Sequence, residues 1–311
     1  MVGISEVAEN IYLIDNQLYS IPRWGSTYLI NEEKKALIDP GPTSSASNVL
    51  EGIKGAGVRP EDIDYLIVTH IHLDHAGGAG TLIRSIPRVQ LLVHHRGFKH
   101  LVNPEKLVSS VMEVQGKEVM ERNGEVMPIE AERIKPVYDG DTLRLSERQL
   151  LQFIDAPGHA PHELCIYDSR NSGVFTGDAA GVYVAENEIL LPNTVPPSFD
   201  AELYISTIQR LMELNATRLY FAHFSVSNNV QEHLRLNIDK LRAWDDMVSK
   251  AIKADNLDSV VPRMIAQGYA EIEPVKGKES IYKQLTGIVE LSAVGYVKYR
   301  REKLKTEQAV R

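Results

Sequence analysis

The sequence has a single cysteine, Cys165, so no disulfide can form within the chain, and that usage fits a reducing compartment. Cys165 stands in the apolar run ELCIYD, where it reads as a small buried hydrophobe rather than a reactive thiol. No apolar run approaches the roughly 18 residues that a bilayer span requires. The opening residues, MVGISEVAEN, hold no basic region followed by an apolar stretch, so no secretory signal is read and a cytoplasmic location is expected. Positive charge is not in excess: 34 Lys and Arg face 42 Asp and Glu, a net charge of −8, which argues against a nucleic-acid surface. Internal repeats and low-complexity segments are also lacking, which excludes solenoids and linker-like tails.

What is present is an ordinary globular composition, 43% hydrophobic and 24% charged, over 311 residues. That length allows one large domain with an appendage. Short strand patterns (IYLID 11–15, STYLI 26–30, KALIDPG 35–41, IDYLIV 63–68, VQLLVHH 89–95) are followed by a helical or irregular stretch over 98–132. SSASNVLEGIKGAG reads as a capped amphipathic helix that stops at its glycines. Strand patterns return in RIKPV, TLRL, QLLQFIDA, ELCIYD and SGVFTGD; a helix over 200–215 then precedes a last strand, RLYFAH 218–223. From about residue 229 only helical patterns follow. The expectation is an α/β layered domain over 1–228 and an α-helical extension over 229–311. The last helix is apolar enough to pack on the main domain or to build a homodimer.

The chemistry lies in LIVTHIHLDHAGG, residues 67–79. His70, His72, Asp74 and His75 put four metal-type donors into six positions where a buried strand runs out. A lone histidine in a core is usually structural, but several buried neutral imidazoles side by side need partners. The pattern recurs: LLQFIDAPGH ends in His159, SGVFTGD in Asp178 and RLYFAH in His223. Strand ends distant in sequence converge at sheet edges, where α/β proteins build sites. Five histidines and two aspartates suffice for two ions with open coordination positions.

The order T-H-x-H-x-D-H-x-G-G, a PGH segment, TGD and a strand-terminal AH resembles the metallo-β-lactamase-fold hydrolase superfamily over roughly residues 8–225. The resemblance implies a four-layer αβ/βα sandwich and two divalent metal ions, zinc in first place with iron or manganese as alternatives. It implies that His70, His72 and His159 hold one ion and Asp74, His75 and His223 the other, with Asp178 bridging and Asp39 bracing the site from behind. A metal-bridging hydroxide would then attack a small-molecule ester, thioester or lactone, with Asp74 able to shuttle a proton.

Within that superfamily, nucleic-acid-processing branches carry large insertions or basic exosites, yet only residues 179–222 separate Asp178 from His223 and the chain is acidic. Flavodiiron-type members have glutamate where this chain has His72, and alkylsulfatase-like members are much longer. Branches resembling glyoxalase II and acyl-homoserine lactonases remain, so a small-molecule substrate is expected, with neither nucleic acid nor membrane as partner. A mononuclear iron dioxygenase of the persulfide-dioxygenase type, and a binding protein that has lost activity, are the other classes. Tyr19 and Trp24 in LYSIPRWGS, and Tyr183 after the Asp178 loop, are candidates for substrate contact. Lys283 and Arg300 in the tail read as solvated, and His94, His95, His100, His162 and His233 have no ligand partner assigned.

Overall fold

The computed structural model describes residues 2–254 and 256–310. A seven-stranded sheet takes its strands in chain order: β1 Ile4–Ala8, β2 Ile11–Asp15, β3 Ser26–Asn31, β4 Lys35–Ile38, β5 Ile63–Ile67, β6 Gln90–His94 and β7 Ile134–Val137. β1 to β4 are antiparallel neighbours, while β4 to β7 run parallel, joined by crossovers. Those crossovers carry α1 Ala46–Gly55, α2 Leu73–Ala76 and α3 Ala79–Ser85, then α4 Phe98–Val102, α5 Glu105–Gln115 and α6 Lys117–Asn123.

The second sheet holds β8 Thr142–Arg144, β9 Leu150–Asp155, β10 Leu164–Asp168 and β11 Gly173–Phe175. After the separate hairpin of β12 Val182–Val184 with β13 Ile189–Leu191, and after α7 Ala201–Glu213, the sheet is completed by β14 Arg218–Phe221 and β15 Ser225–Ser227. β14 is parallel to β11; the other pairings are antiparallel.

Side-chain alternation along the strands assigns the layers. In β2, Ile11 and Leu13 face the second sheet, while Ile14 turns to the helices over the first. In β10, Leu164 and Ile166 meet the first sheet and Cys165 turns outward to Tyr204 and Ile208 of α7. One core therefore lies between the sheets and one on each outer face, the four-layer αβ/βα sandwich. The Tyr28 hydroxyl donates to the Phe221 carbonyl at 2.7 Å and fastens the sheets together close to where β14 ends.

Residues 229–310 supply α8 Val230–Lys253, α9 Val260–Ile272 and α10 Glu279–Val310. They share a core with the sandwich: Leu234 and Leu241 of α8 join Tyr204 and Ile208, and Tyr296 of α10 donates from its hydroxyl to the Leu241 carbonyl at 3.1 Å. α10 also lies against the chain before α7, where the Thr194 hydroxyl donates to the Ser292 carbonyl at 2.8 Å. Gly295 makes that approach possible, because a Cβ there would stand 2.0 Å from the Thr194 carbonyl oxygen. Gly295→Leu should lower stability by roughly 1–3 kcal/mol, as overpacking does; an unchanged melting temperature would show that α10 does not depend on this contact. No described helix is long and apolar enough to cross a membrane.

Three sequence expectations need correction. β14 is not the last strand, since Ser225–Ser227 turns back to pair with it. Three residues flanked by serines carry too short an alternation to read. The helix of residues 46–55 is uncapped: a 3-10 turn over Thr43–Ser45 already holds Ser45 at φ −90, ψ −10, and its hydroxyl, buried without a partner, caps nothing. β1 and the β12–β13 hairpin carry no strand pattern that the sequence reveals either, though Asn10 at φ 61 makes the tight turn that returns β1 onto β2.

Candidate metal centre

Four strand ends build the site, one from the first sheet and three from the second. Beyond β5 the chain delivers His70 and His72, and Asp74 and His75 follow in the single turn of α2. β9, β11 and β14 run out to His159, Asp178 and His223. The structure brings all seven together in two groups. His70, His72, His159 and Asp178 form one, and Asp74, His75 and His223 the other, with donor atoms in each within 4.8 Å of one another.

Nitrogens rather than ring faces converge. His72 Nδ1 lies 2.9 Å from both His70 Nε2 and His159 Nε2. Asp178 sits where the groups meet: Oδ2 is 3.5 Å from His75 Nε2 and His159 Nε2 and 4.0 Å from His70 Nε2, and Oδ1 is 3.5 Å from His223 Nε2. His75 Nε2 and Asp178 Oδ1 are buried with no hydrogen-bond partner among the described residues. Orphaned inward atoms of this kind are costly in a protein alone and are satisfied by a cation. The residues present fit divalent ions bound through imidazole nitrogen and carboxylate oxygen.

The surroundings fix which atoms face inward. Asp39 Oδ1 accepts from the Thr69 amide at 2.7 Å, and its Oδ2 accepts from the Thr69 hydroxyl at 2.8 Å and from His75 Nδ1 at 3.0 Å. Because a carboxylate accepts, His75 Nδ1 carries a proton, and Nε2 is the ring nitrogen turned to the centre. His159 Nδ1 donates likewise to the Asn193 carbonyl at 2.9 Å. Gly158 places His159: at φ +141 the chain passes α7 so closely that a Cβ would stand 2.3 Å from the Tyr204 Cα.

Two supporting residues are not evident from the sequence. Glu163 Oε1 accepts from the Asp178 amide at 2.7 Å, and Asn193 Nδ2 donates to Asp178 Oδ2 at 2.7 Å. A carboxylate opening the apolar run ELCIYD, close after a histidine donor, is the one signal for Glu163. Asn193, in a proline-rich loop, offers none.

Burial sets the electrostatics of the donor side chains. It presses His70 and His72 well below the usual imidazole range, with neighbouring imidazoles pushing the same way, and it lowers His159 as well. For His75 burial acts downward too, but Asp74, Asp178 and Asp39 outweigh it and hold the ring well above the normal range. Asp178 is the counterpart: burial acts to raise it, and His75, His223 and His159 pull it well below the carboxylate range. Burial pushes Glu163 well up, aided by Asp178.

Above the donors opens a cavity of about 270 Å³, with His72, Asp74, His159, Asp178 and His223 in its floor. Tyr19 and Trp24 line it as expected of substrate-contact candidates, Tyr19 on a left-handed backbone at φ 56 and Trp24 with its ring 5.1 Å from that of His223. Tyr183 does not line it. Its ring packs on Phe221 and His233 and borders a neighbouring cavity of about 230 Å³ behind Trp24 and His223, because β12 carries it to the far side of His223. Lys283 is not merely solvated: α10 places it in the cavity wall beside Ile288 and Leu291. Arg300 instead reaches Asp245 and Ser249.

The remaining histidines stand outside the donor groups. His94 pairs with Asp155 at 3.2 Å and stacks on His95, and His162 lies behind His70 and His72, lowered by burial to about 3.

Residues 22–223 match the family model of the Metallo-beta-lactamase superfamily. A metallo-beta-lactamase fold-containing protein of Sulfurisphaera tokodaii is 28% identical over 186 residues, 58% of this chain and 68% of that protein. Its solved structure superposes with a TM-score of 0.62 at 25% identity, covering 74% of this chain and 86% of the other. An N-acyl homoserine lactonase of a Bacillus species is 29% identical over 233 residues, 66% of this chain and 81% of the lactonase. A metallo-beta-lactamase family protein of Thermus thermophilus shares the fold, with a TM-score of 0.64 at 17% identity, over 90% of this chain and 89% of the other.

Proposed function

Because the chain belongs to the metallo-beta-lactamase superfamily, we propose that it is a binuclear metal-dependent hydrolase of a small-molecule ester, thioester or lactone. On this reading His70, His72 and His159 hold one ion, Asp74, His75 and His223 the other, and Asp178 lies between them. The metal is zinc in first place, with iron or manganese as the other fits to these donors. The observation that carries the reading is the pair of donor groups, with Asp178 of the first 3.5 Å from His75 and His223 of the second, at the base of a largely apolar cavity. The similarity to N-acyl homoserine lactonases supports an ester-type bond as the target.

Bound divalent ions supply two things: an acidified water at neutral pH and Lewis-acid polarisation of the electrophilic oxygen. The chain's residues do the rest. Asp39 and the Asn193 carbonyl hold two imidazoles in the ligating tautomer. Asp74, its side chain 27% exposed, is the donor carboxylate open to the cavity and the one placed to take and return a proton during cleavage. Leu18, Trp24, Val119 and Leu291 offer an apolar lining against which a substrate's acyl chain would pack. The partner on this reading is a small molecule, with no part for nucleic acid or a membrane.

Elemental analysis of protein purified without chelator tests this, followed by a panel of aryl esters, thioesters and lactones. About two equivalents of metal per chain with turnover of one substrate class is the expected result. About one equivalent of iron, oxygen consumption with a persulfide and no hydrolysis would replace it with the dioxygenase reading.

A further inference from the structure

The cavity wall carries two cations for which the metal groups have no use. Arg122, from α6, and Lys283, from α10, both line it. The only acidic side chains in the lining, among the described residues, are Asp74 and Asp178, both in the donor groups of the floor. Among the described residues no carboxylate pairs with either cation; the contact shown for the Arg122 guanidinium is the Tyr19 ring, 4.2 Å from its central carbon. That contact positions Arg122, because Tyr19 is itself fixed in a left-handed turn that a non-glycine residue rarely adopts. Two uncompensated positive charges in the cavity of a chain of net charge −8 are not an average property of its surface. The same lining holds the apolar side chains of Val111, Val119, Ile288 and Leu291, with Gln115, Asn123 and Gln284 among them.

We infer that the substrate carries a carboxylate at the far end of a short apolar segment from the bond that is cleaved, and that Arg122 and Lys283 bind this carboxylate. The planar guanidinium fork suits it, and Lys283 adds a point charge from a second element, α10. Neither cation belongs to a donor group, so binding there orients the acyl chain without touching the reacting atoms and selects among substrates. The inference rests on the hydrolase reading for its turnover arm and is independent of it in its binding arm.

The test uses the full chain as purified with its metal. The substrates are the mono-4-nitrophenyl ester of adipic acid and the same compound with its free carboxylate capped as a methyl ester. The binding probes are the matching anilides, which have no ester at the reacting position, followed through the fluorescence of Trp24, one of two tryptophans in the chain and in contact with the cavity. The anionic ester should be preferred roughly ten- to hundredfold in kcat/KM, mainly through KM, as expected for hydrogen bonds to a charged group. That ratio should fall towards one in Arg122→Met with Lys283→Met and partly return in Arg122→Lys, and the acid anilide should bind more tightly than its methyl ester with the same dependence. If both esters are cleaved at equal efficiency, the carboxylate site is overturned and the hydrolase reading stands. If neither is cleaved, the anilides decide the carboxylate site alone: binding that depends on Arg122 upholds it, and equal binding of acid and ester overturns it. Should Arg122→Met fail to fold, Lys283→Met, at an exposed position, and the wild-type ratio decide between the same two outcomes.

Discussion

Asp178→Asn should reduce hydrolysis by roughly 10²–10³-fold or more and lower the metal content of the purified protein. The size follows from several kcal/mol of transition-state charge stabilisation that a metal centre provides, at about 1.36 kcal/mol per tenfold. Asp178 is the one donor whose oxygens reach nitrogens of both groups, with Oδ2 near His75 and His159 and Oδ1 near His223, each at 3.5 Å. The substitution is nearly isosteric, so packing is not the cause. An amide removes the negative charge, and its NH2 group would set a donor either against Asn193 Nδ2, now 2.7 Å from Oδ2, or in place of the Oδ1 that faces His223 Nε2. His75 would also lose one of the carboxylates that hold it protonated when metal is absent. Near-normal metal content with activity within tenfold of the parent would remove Asp178 from its proposed place between the ions.

The donors of this site are legible because each stands just past an apolar run, and a short run bounded by Gly or Pro reads as a buried strand without any knowledge of its neighbours. His70, His159, Asp178 and His223 can therefore be placed at strand ends from local pattern alone. What brings them to one spot is the meeting of two sheets, and that follows from the family resemblance rather than from spacing. Residues whose role depends on where a helix lands are not legible. Lys283 lies on an amphipathic tail and reads as solvated; only the docking of Gly295 against Thr194 carries it to the cavity. Tyr183 shows the reverse, an aromatic close in sequence to Asp178 that a three-residue strand turns to the far side of His223. Glu163 and Asn193 support Asp178 through single hydrogen bonds, which leave no periodicity to detect.

The metal-free protein should lose stability steeply as pH falls from about 6.5 towards 5, and metal should protect it. Burial holds His70, His72, His159 and His162 below the ordinary imidazole value of 6.5, so in this window the unfolded chain takes up protons that the folded chain refuses. Stability from such groups is present above the unfolded value and is lost as pH drops below it. Glu163 acts in the opposite sense: its folded value is raised, so between 4.5 and that value the folded state holds the extra proton and acidification restores stability. His75, raised above 6.5, is protonated in both states below 6.5 and drops out of the balance there. Burial lowers His94 and His233 as well, so six imidazoles against Glu163 leave a net uptake on unfolding of at most five protons, an upper limit of about 7 kcal/mol per pH unit. Against a total stability of roughly 5–15 kcal/mol, even half that slope is a large fraction. Thermal unfolding of chelator-treated protein at pH 7.0, 6.0 and 5.0 should show the melting temperature falling at each step. With metal restored the fall should begin at lower pH, because bound ions keep the ligating imidazoles unprotonated and bind the folded state alone. A melting temperature that holds constant or rises towards pH 5 in the metal-free protein would mean that these imidazoles are hydrated, and that the centre is a solvated cleft rather than the dry, orphan-lined pocket on which the hydrolase reading depends.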